Sequence, residues 1–147
     1  MNFVFDPRRG PSVVRAELWG PSGSGVLQLA LDTGATSTLV NVGMLVAIGY
    51  DPAMTAERIQ VTTGSGVEFA PRVVLQRVGA LGRERLGFPV LGHTLPPSAS
   101  VDGLLGLDFL RGLNLEIDFR AGSLDSLNRS VHWDAKSPPL IAIAPSP

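Results

Sequence analysis

Short runs in which apolar and polar residues alternate, separated by clusters of glycine, proline and serine, extend along most of this chain. Such runs fit strands with one face in a core, because successive strand side chains point to opposite sides. Residues 13–19 and 26–31 make one such pair, joined by Gly20-Pro21-Ser22-Gly23-Ser24-Gly25, and predict a hairpin. Residues 38–40 predict a further short strand, and 44–49 a helical turn ahead of Tyr50-Asp51-Pro52. A second hairpin is expected over 59–69, with Gly64-Ser65-Gly66 at its tip. Strands at 72–78 and 86–91 flank the segment 79–85. A Pro- and Ser-containing loop, 93–100, leads into an apolar strand-like run that ends at Gly106. A short helix over 108–112 and a strand over 114–119 follow. Residues 126–147 hold Pro138, Pro139, Pro145 and Pro147 and predict an extended tail, in which 140–143 could pair as an edge strand. No internal repeat is visible. The pattern is mainly β, with an N-terminal segment 1–12, one domain over 13–125 and a Pro-rich tail over 126–147.

Composition narrows the classes. A chain of 147 residues with 44% hydrophobic content is long enough for one domain with its own core. A net charge of −1 without a basic stripe gives no footprint for nucleic acid. The absence of cysteine rules out disulfides and thiolate metal sites and fits a reducing compartment. Residues 1–7 lack the apolar stretch of a secretory leader. The longest apolar window, 26–48, is interrupted by Asp32, Gly34, Asn41 and Gly43 and reads as core, not as a membrane span. A soluble cytoplasmic protein with no membrane partner is expected. His93 and His132 are the only histidines and belong to no ligand motif, so neither a metal nor a cofactor is expected.

One position carries candidate chemistry. Asp32 follows the apolar strand 26–31 and opens the turn Asp32-Thr33-Gly34-Ala35. A carboxylate at the edge of a core is costly unless it is hydrogen-bonded or paired, and chemistry is one reason to keep it there. Much later, Leu104-Leu105-Gly106-Leu107-Asp108-Phe109-Leu110 supplies an apolar-apolar-Gly-x-Asp-Phe-Leu pattern. Asp-Thr-Gly-Ala after an apolar strand, the glycine-tipped hairpin and this second segment, in that order, resemble the retropepsin-like aspartic proteases, in particular their retrotransposon and bacterial branches. The likeness covers about residues 13–119.

That resemblance implies a single-domain acid-protease barrel with one short helix after the second signature strand. It makes Asp32 the catalytic carboxylate. Thr33 would hydrogen-bond across a two-fold axis, Gly34 would let backbone amides approach the carboxylates, and Ala35 matches the retroviral form of the loop. Ala35 stands where the pepsin-like branch has a hydrogen-bonding serine, which implies a mildly acidic working range. Leu104, Leu105 and Gly106 would pass behind the loop and brace it. Thr63, Gly64, Ser65 and Gly66 would form the substrate-binding part of a flap. Leu107 stands where retroviral members usually have arginine.

Hydrolysis of a peptide by carboxylates needs two of them, one as base toward water and one as acid. This chain has one Asp-[Ser/Thr]-Gly, so a dyad requires two copies related by a two-fold axis. The expected function is therefore a homodimeric aspartic endopeptidase acting on peptide or protein substrates. The alternative is a catalytically silent dimeric peptide-binding or scaffolding module of the same fold. Asp108 is expected to be a helix cap or structural acceptor, and Asp118 an outward-facing strand residue. Arg83-Glu84-Arg85 is expected to be solvated loop charge, and Trp19 core or edge packing. Ala35, Val61 and Leu104 predict pockets for hydrophobic side chains.

Overall fold

The alternating segments become strands in the computed structural model, which describes residues 2–5, 8 and 12–127. In chain order the strands are β1 (Asn2–Val4), β2 (Val13–Gly20), β3 (Gly23–Leu31), β4 (Leu39–Asn41), β5 (Arg58–Thr63), β6 (Gly66–Ala80), β7 (Arg83–His93), β8 (Gly103–Leu105), β9 (Asn114–Asp118) and β10 (Ser123–Leu127). Two short helices, α1 (Val42–Ala47) and α2 (Leu107–Leu110), and a 3-10 turn at Pro52–Met54 complete the described elements. Asn41 starts α1 by accepting the Gly43 N–H at 3.0 Å through its side chain, an ordinary way to satisfy a helix's first donors. No helix among the described residues is long and apolar enough to cross a membrane.

β2, β3, β8, β4, β7 and β6 form a continuous sheet that β2 closes by pairing with β6, from Ala16 opposite Ala80 to Trp19 opposite Arg77. The result is a closed six-stranded barrel, so most of its strands have no free edge. Tyr50 reinforces the closing seam: its hydroxyl donates to the Trp19 carbonyl at 2.9 Å and accepts from the Gln76 N–H at 2.8 Å. The β6–β7 ladder skips Gln76 and Gly87, and that Gln76 N–H bond to Tyr50 replaces the missing rung. Strand period fixes which residues enter the barrel. Val14, Ala16 and Leu18 of β2 and Leu27 and Leu29 of β3 are buried, whereas Arg15, Val26 and Gln28 between them face out. Phe109 of α2 is fully buried and meets Phe88 edge-to-face, with ring centroids 5.7 Å apart. Burial of a side chain of this size contributes about 2–3 kcal/mol.

β5 pairs only with the outer part of β6, from Arg58 opposite Pro71 to Thr63 opposite Gly66, so this hairpin projects beyond the barrel. A second, three-stranded sheet has the order β1-β10-β9. Here Phe3 stands opposite Leu124 and Leu124 opposite Ile117, and Leu124 is buried in the common core. Asn2–Val4 thus takes a place in a sheet, although the sequence reading assigned 1–12 only as a leading segment. Residues 140–143, His132 and Trp133 lie outside the described residues. Trp19 is half-buried at the barrel wall, with the Arg77 guanidinium 3.7 Å from its ring centre.

Candidate active site

Asp32 emerges where two parallel strands end together. β3 pairs with β8 from Leu29 opposite Gly103 to Leu31 opposite Leu105, and the Asp32 N–H continues the ladder to the Leu105 carbonyl at 3.0 Å. Its backbone is therefore fixed by the barrel while its side chain stands at the barrel's edge, half-buried. Asp32 Oδ1 accepts the Gly34 N–H at 2.8 Å, and the Asp32 carbonyl accepts the Ala35 N–H at 3.2 Å. A Cβ on Gly34 would lie 3.1 Å from Asp32 Oδ1. Close approach to the carboxylate, not a left-handed backbone, is thus what this glycine supplies.

The loop 32–38 rests on the segment that follows β8. The Leu107 N–H donates to the Ala35 carbonyl at 2.8 Å, and the Asp108 N–H to the Thr36 carbonyl at 3.2 Å. Gly106 is buried against the loop: a Cβ there would stand 2.7 Å from the Ser37 carbonyl carbon and 2.9 Å from the Ala35 oxygen. Asp108 completes the brace. Its Oδ1 accepts from the Thr38 hydroxyl at 2.7 Å and from the Phe109 N–H at 2.9 Å, and the Thr38 N–H reaches both carboxylate oxygens at 2.9 Å. The Thr38 hydroxyl in turn accepts the Gly106 N–H at 3.1 Å. Thr38 is one of the two buried polar side chains among the described residues, and these partners satisfy it. Asp108 is a structural acceptor; Gly106 occupies the cap position of α2.

Arg85 corrects one expectation. It lies on β7, half-buried, and its Nη2 donates to the carbonyls of Phe109 and Arg111 at 2.6 and 2.8 Å. A cation at the C-terminal end of α2 satisfies carbonyls that the short helix leaves open. Asp118 is exposed as expected, and its Oδ1 accepts the N–H groups of Arg120 and Ala121, both at 2.9 Å.

Between the loop and the β5–β6 hairpin lies a cleft of about 550 Å³. Asp32, Gly34, Ala35, Thr36, Ser37, Leu39 and Leu104 line its barrel side with Leu91, and Ile59, Gln60, Val61 and Thr62 line its hairpin side. Asp32 is the only ionisable residue in that lining. Apolar walls with a few placed polar groups are the usual make-up of a ligand site. Two shallower concavities, of about 340 and 480 Å³, lie away from Asp32. Among the described residues no group of three or more histidine, aspartate or glutamate side chains is arranged to hold a metal ion.

Asp32, Gly34, Ala35 and Leu104 therefore come together at the cleft. Leu105 and Gly106 are buried behind the loop, and Thr33 is exposed beside it. Gly64, Ser65 and Gly66 are exposed at the hairpin tip, outside the cleft lining, with Thr63 opposite Gly66 in the ladder. The hairpin side of the cleft comes instead from β5, the edge strand. Ile59, Gln60 and Thr62 were missed as lining residues because the glycine-rich tip draws attention away from the strand before it.

Residues 23–112 match the profile of the "gag-polyprotein putative aspartyl protease" family, a span that includes Asp32, the hairpin and α2. A retropepsin-like aspartic protease from Rickettsia conorii has a crystal structure that superposes with a TM-score of 0.64 at 19% identity, covering 84% of this chain and 95% of that one. A search of the curated proteins found no match. The carboxylate at the paired ends of β3 and β8, the Gly106 brace and the family match agree: this chain belongs to the retropepsin-like aspartyl protease family.

Proposed function

We propose that the protein is an aspartic endopeptidase that works as a homodimer, with the Asp32 carboxylates of two copies forming one catalytic pair. The observation that carries this reading is the cleft lining itself, in which a braced aspartate is the only ionisable group. One carboxylate cannot serve as both base and acid in the same step. A two-fold axis passing beside the exposed Thr33-Gly34 turn brings a second, identical aspartate to the first. Like charges at such a distance do not both ionise easily, so the pair holds one shared proton in its working state.

In the reaction, the ionised member takes a proton from a water molecule as the water oxygen attacks the scissile carbonyl carbon. The protonated member gives its proton to the carbonyl oxygen. The tetrahedral intermediate then collapses: the C–N bond breaks, the departing nitrogen takes a proton from one carboxyl, and a hydroxyl of the intermediate gives its proton to the other carboxylate as the carbonyl re-forms, which restores the pair's single proton. The β5–β6 hairpin acts as a flap over an extended peptide, whose backbone pairs with exposed strand groups while Leu39, Leu91, Leu104, Ile59 and Val61 receive apolar side chains.

The test is digestion of a diverse peptide library by the purified protein from mildly acidic to neutral pH, with Asp32→Asn beside it. Cleavage by the wild type and none by the variant supports the reading. Failure of a well-folded dimer to cleave any peptide would move the assignment to a silent peptide-binding module of the same fold.

A further inference from the structure

We propose that His93 and Glu68 form a pH-dependent latch that holds the β5–β6 hairpin against the barrel; this rests on the reading of that hairpin as the flap. Three observations place the latch. The hairpin's root is pinned where Pro71 packs on Gly92: a Cβ at Gly92 would lie 3.2 Å from Pro71 Cγ. Immediately beyond that contact, His93 Nδ1 lies 3.5 Å from Glu68 Oε2, three residues farther along the hairpin arm. At about 3.3 Å of rise per strand residue, the ion pair acts about 10 Å from the pinned root. Finally, Val61 stands directly opposite Glu68 in the β5–β6 ladder, and Val61 lines the Asp32 cleft. The attraction is thus applied to the part of the arm that walls the cleft.

The elements packed around the pair carry few other charged groups, of which Arg58 of β5 stands opposite Pro71. Asn41 of β4 stands opposite His93, and its side chain accepts from the Gly43 N–H. α1, which packs on β7, and residues 94–100 carry no ionisable side chain. Arg72, farther down β6, is paired with Glu57 at 3.0 Å, and Asp102 accepts the Gln28 N–H at 2.8 Å. Histidine is the side chain that changes charge between pH 5 and 8, while a glutamate stays ionised there. An imidazolium attracts a carboxylate and a neutral imidazole does not, which gives the latch its sign. The sign matches the proposed chemistry: the hairpin is held over the cleft under mildly acidic conditions, where a carboxylate pair works, and released toward neutrality.

The latch is tested by amide hydrogen exchange of the hairpin segment 60–69 in the full-length protein, corrected for the intrinsic pH dependence of exchange. The wild type is expected to show about 2- to 5-fold greater protection at pH 5.5 than at pH 7.5, the size of effect a partly exposed ion pair supplies. His93→Gln and Glu68→Gln should remove that difference. His93→Lys, cationic at both values, should keep the protection high throughout. An unchanged pH response in His93→Gln, or a His93→Lys variant that behaves like His93→Gln, would overturn the proposal. These readings need no catalysis, so a protein that cleaves nothing could still show the latch. Where cleavage is observed, KM should rise between pH 5.5 and 7.5 in the wild type and not in His93→Lys.

Discussion

Replacing Thr38 with valine tests the brace beneath Asp32 with little change of shape. Thr38 is buried, with 1% of its surface exposed, and valine fills nearly the same volume, so no cavity opens. The hydroxyl lost in the exchange donates to Asp108 Oδ1 at 2.7 Å and accepts the Gly106 N–H at 3.1 Å. Removing it strands the buried Gly106 N–H, at a cost of about 1–3 kcal/mol. It also deletes one hydrogen bond to a carboxylate, worth about 1.5–3 kcal/mol, although Asp108 keeps the Thr38 and Phe109 N–H groups as partners. The combined loss should be about 2–4 kcal/mol, because the retained N–H bonds soften the second effect. At 2–4 °C per kcal/mol for a protein of this size, the melting temperature should fall by roughly 5–15 °C. Thr38→Ser, which keeps the hydroxyl and gives up one methyl, should cost only about 1 kcal/mol. Urea unfolding of the three proteins at equal concentration is the assay. A valine variant within about 0.5 kcal/mol of wild type, or more stable than the serine variant, would refute the idea that this hydroxyl ties the loop to α2.

Two further perturbations follow from the same region. Gly106→Ala forces a Cβ to within 2.9 Å of backbone atoms of Ala35 and Ser37, so the protein should lose at least about 2 kcal/mol in thermal unfolding, and any peptide cleavage should fall more than stability alone explains. Arg85→Met removes the donors to the Phe109 and Arg111 carbonyls, but it also relieves a buried Arg85 Nε that has no partner, so chemical unfolding should show a net loss of only about 1–2 kcal/mol.

The features legible in the sequence were those carried by neighbours along the chain. The alternation at 13–19 and 26–31 is a property of single strands, and it foretold β2 and β3 and placed Asp32 at the end of β3. Gly64-Ser65-Gly66 likewise marked the two-residue turn between β5 and β6. Contacts between distant segments had no such local mark. Thr38 and Asp108 are 70 residues apart, and nothing near either position shows that one satisfies the other. Arg83-Glu84-Arg85 looks like any charged loop until β7 carries Arg85 beneath α2. The three residues of β1 are too few to show a period, and only the pairing of Phe3 with Leu124 reveals them as a strand. The hairpin side of the cleft was hidden for a related reason: a strand's sequence does not say which of its edges will be left to face a site.

The central claim is that two Asp32 residues, one from each copy, form a single catalytic unit. Mixing wild type with Asp32→Asn at a fixed total concentration, after allowing subunits to exchange, tests it most directly. If the pair is shared, a mixed dimer is dead, and an equal mixture retains about one quarter of the wild-type cleavage rate, the fraction of dimers with both aspartates. About one half of the rate would mean that each copy works by itself, and the shared-dyad account would be wrong.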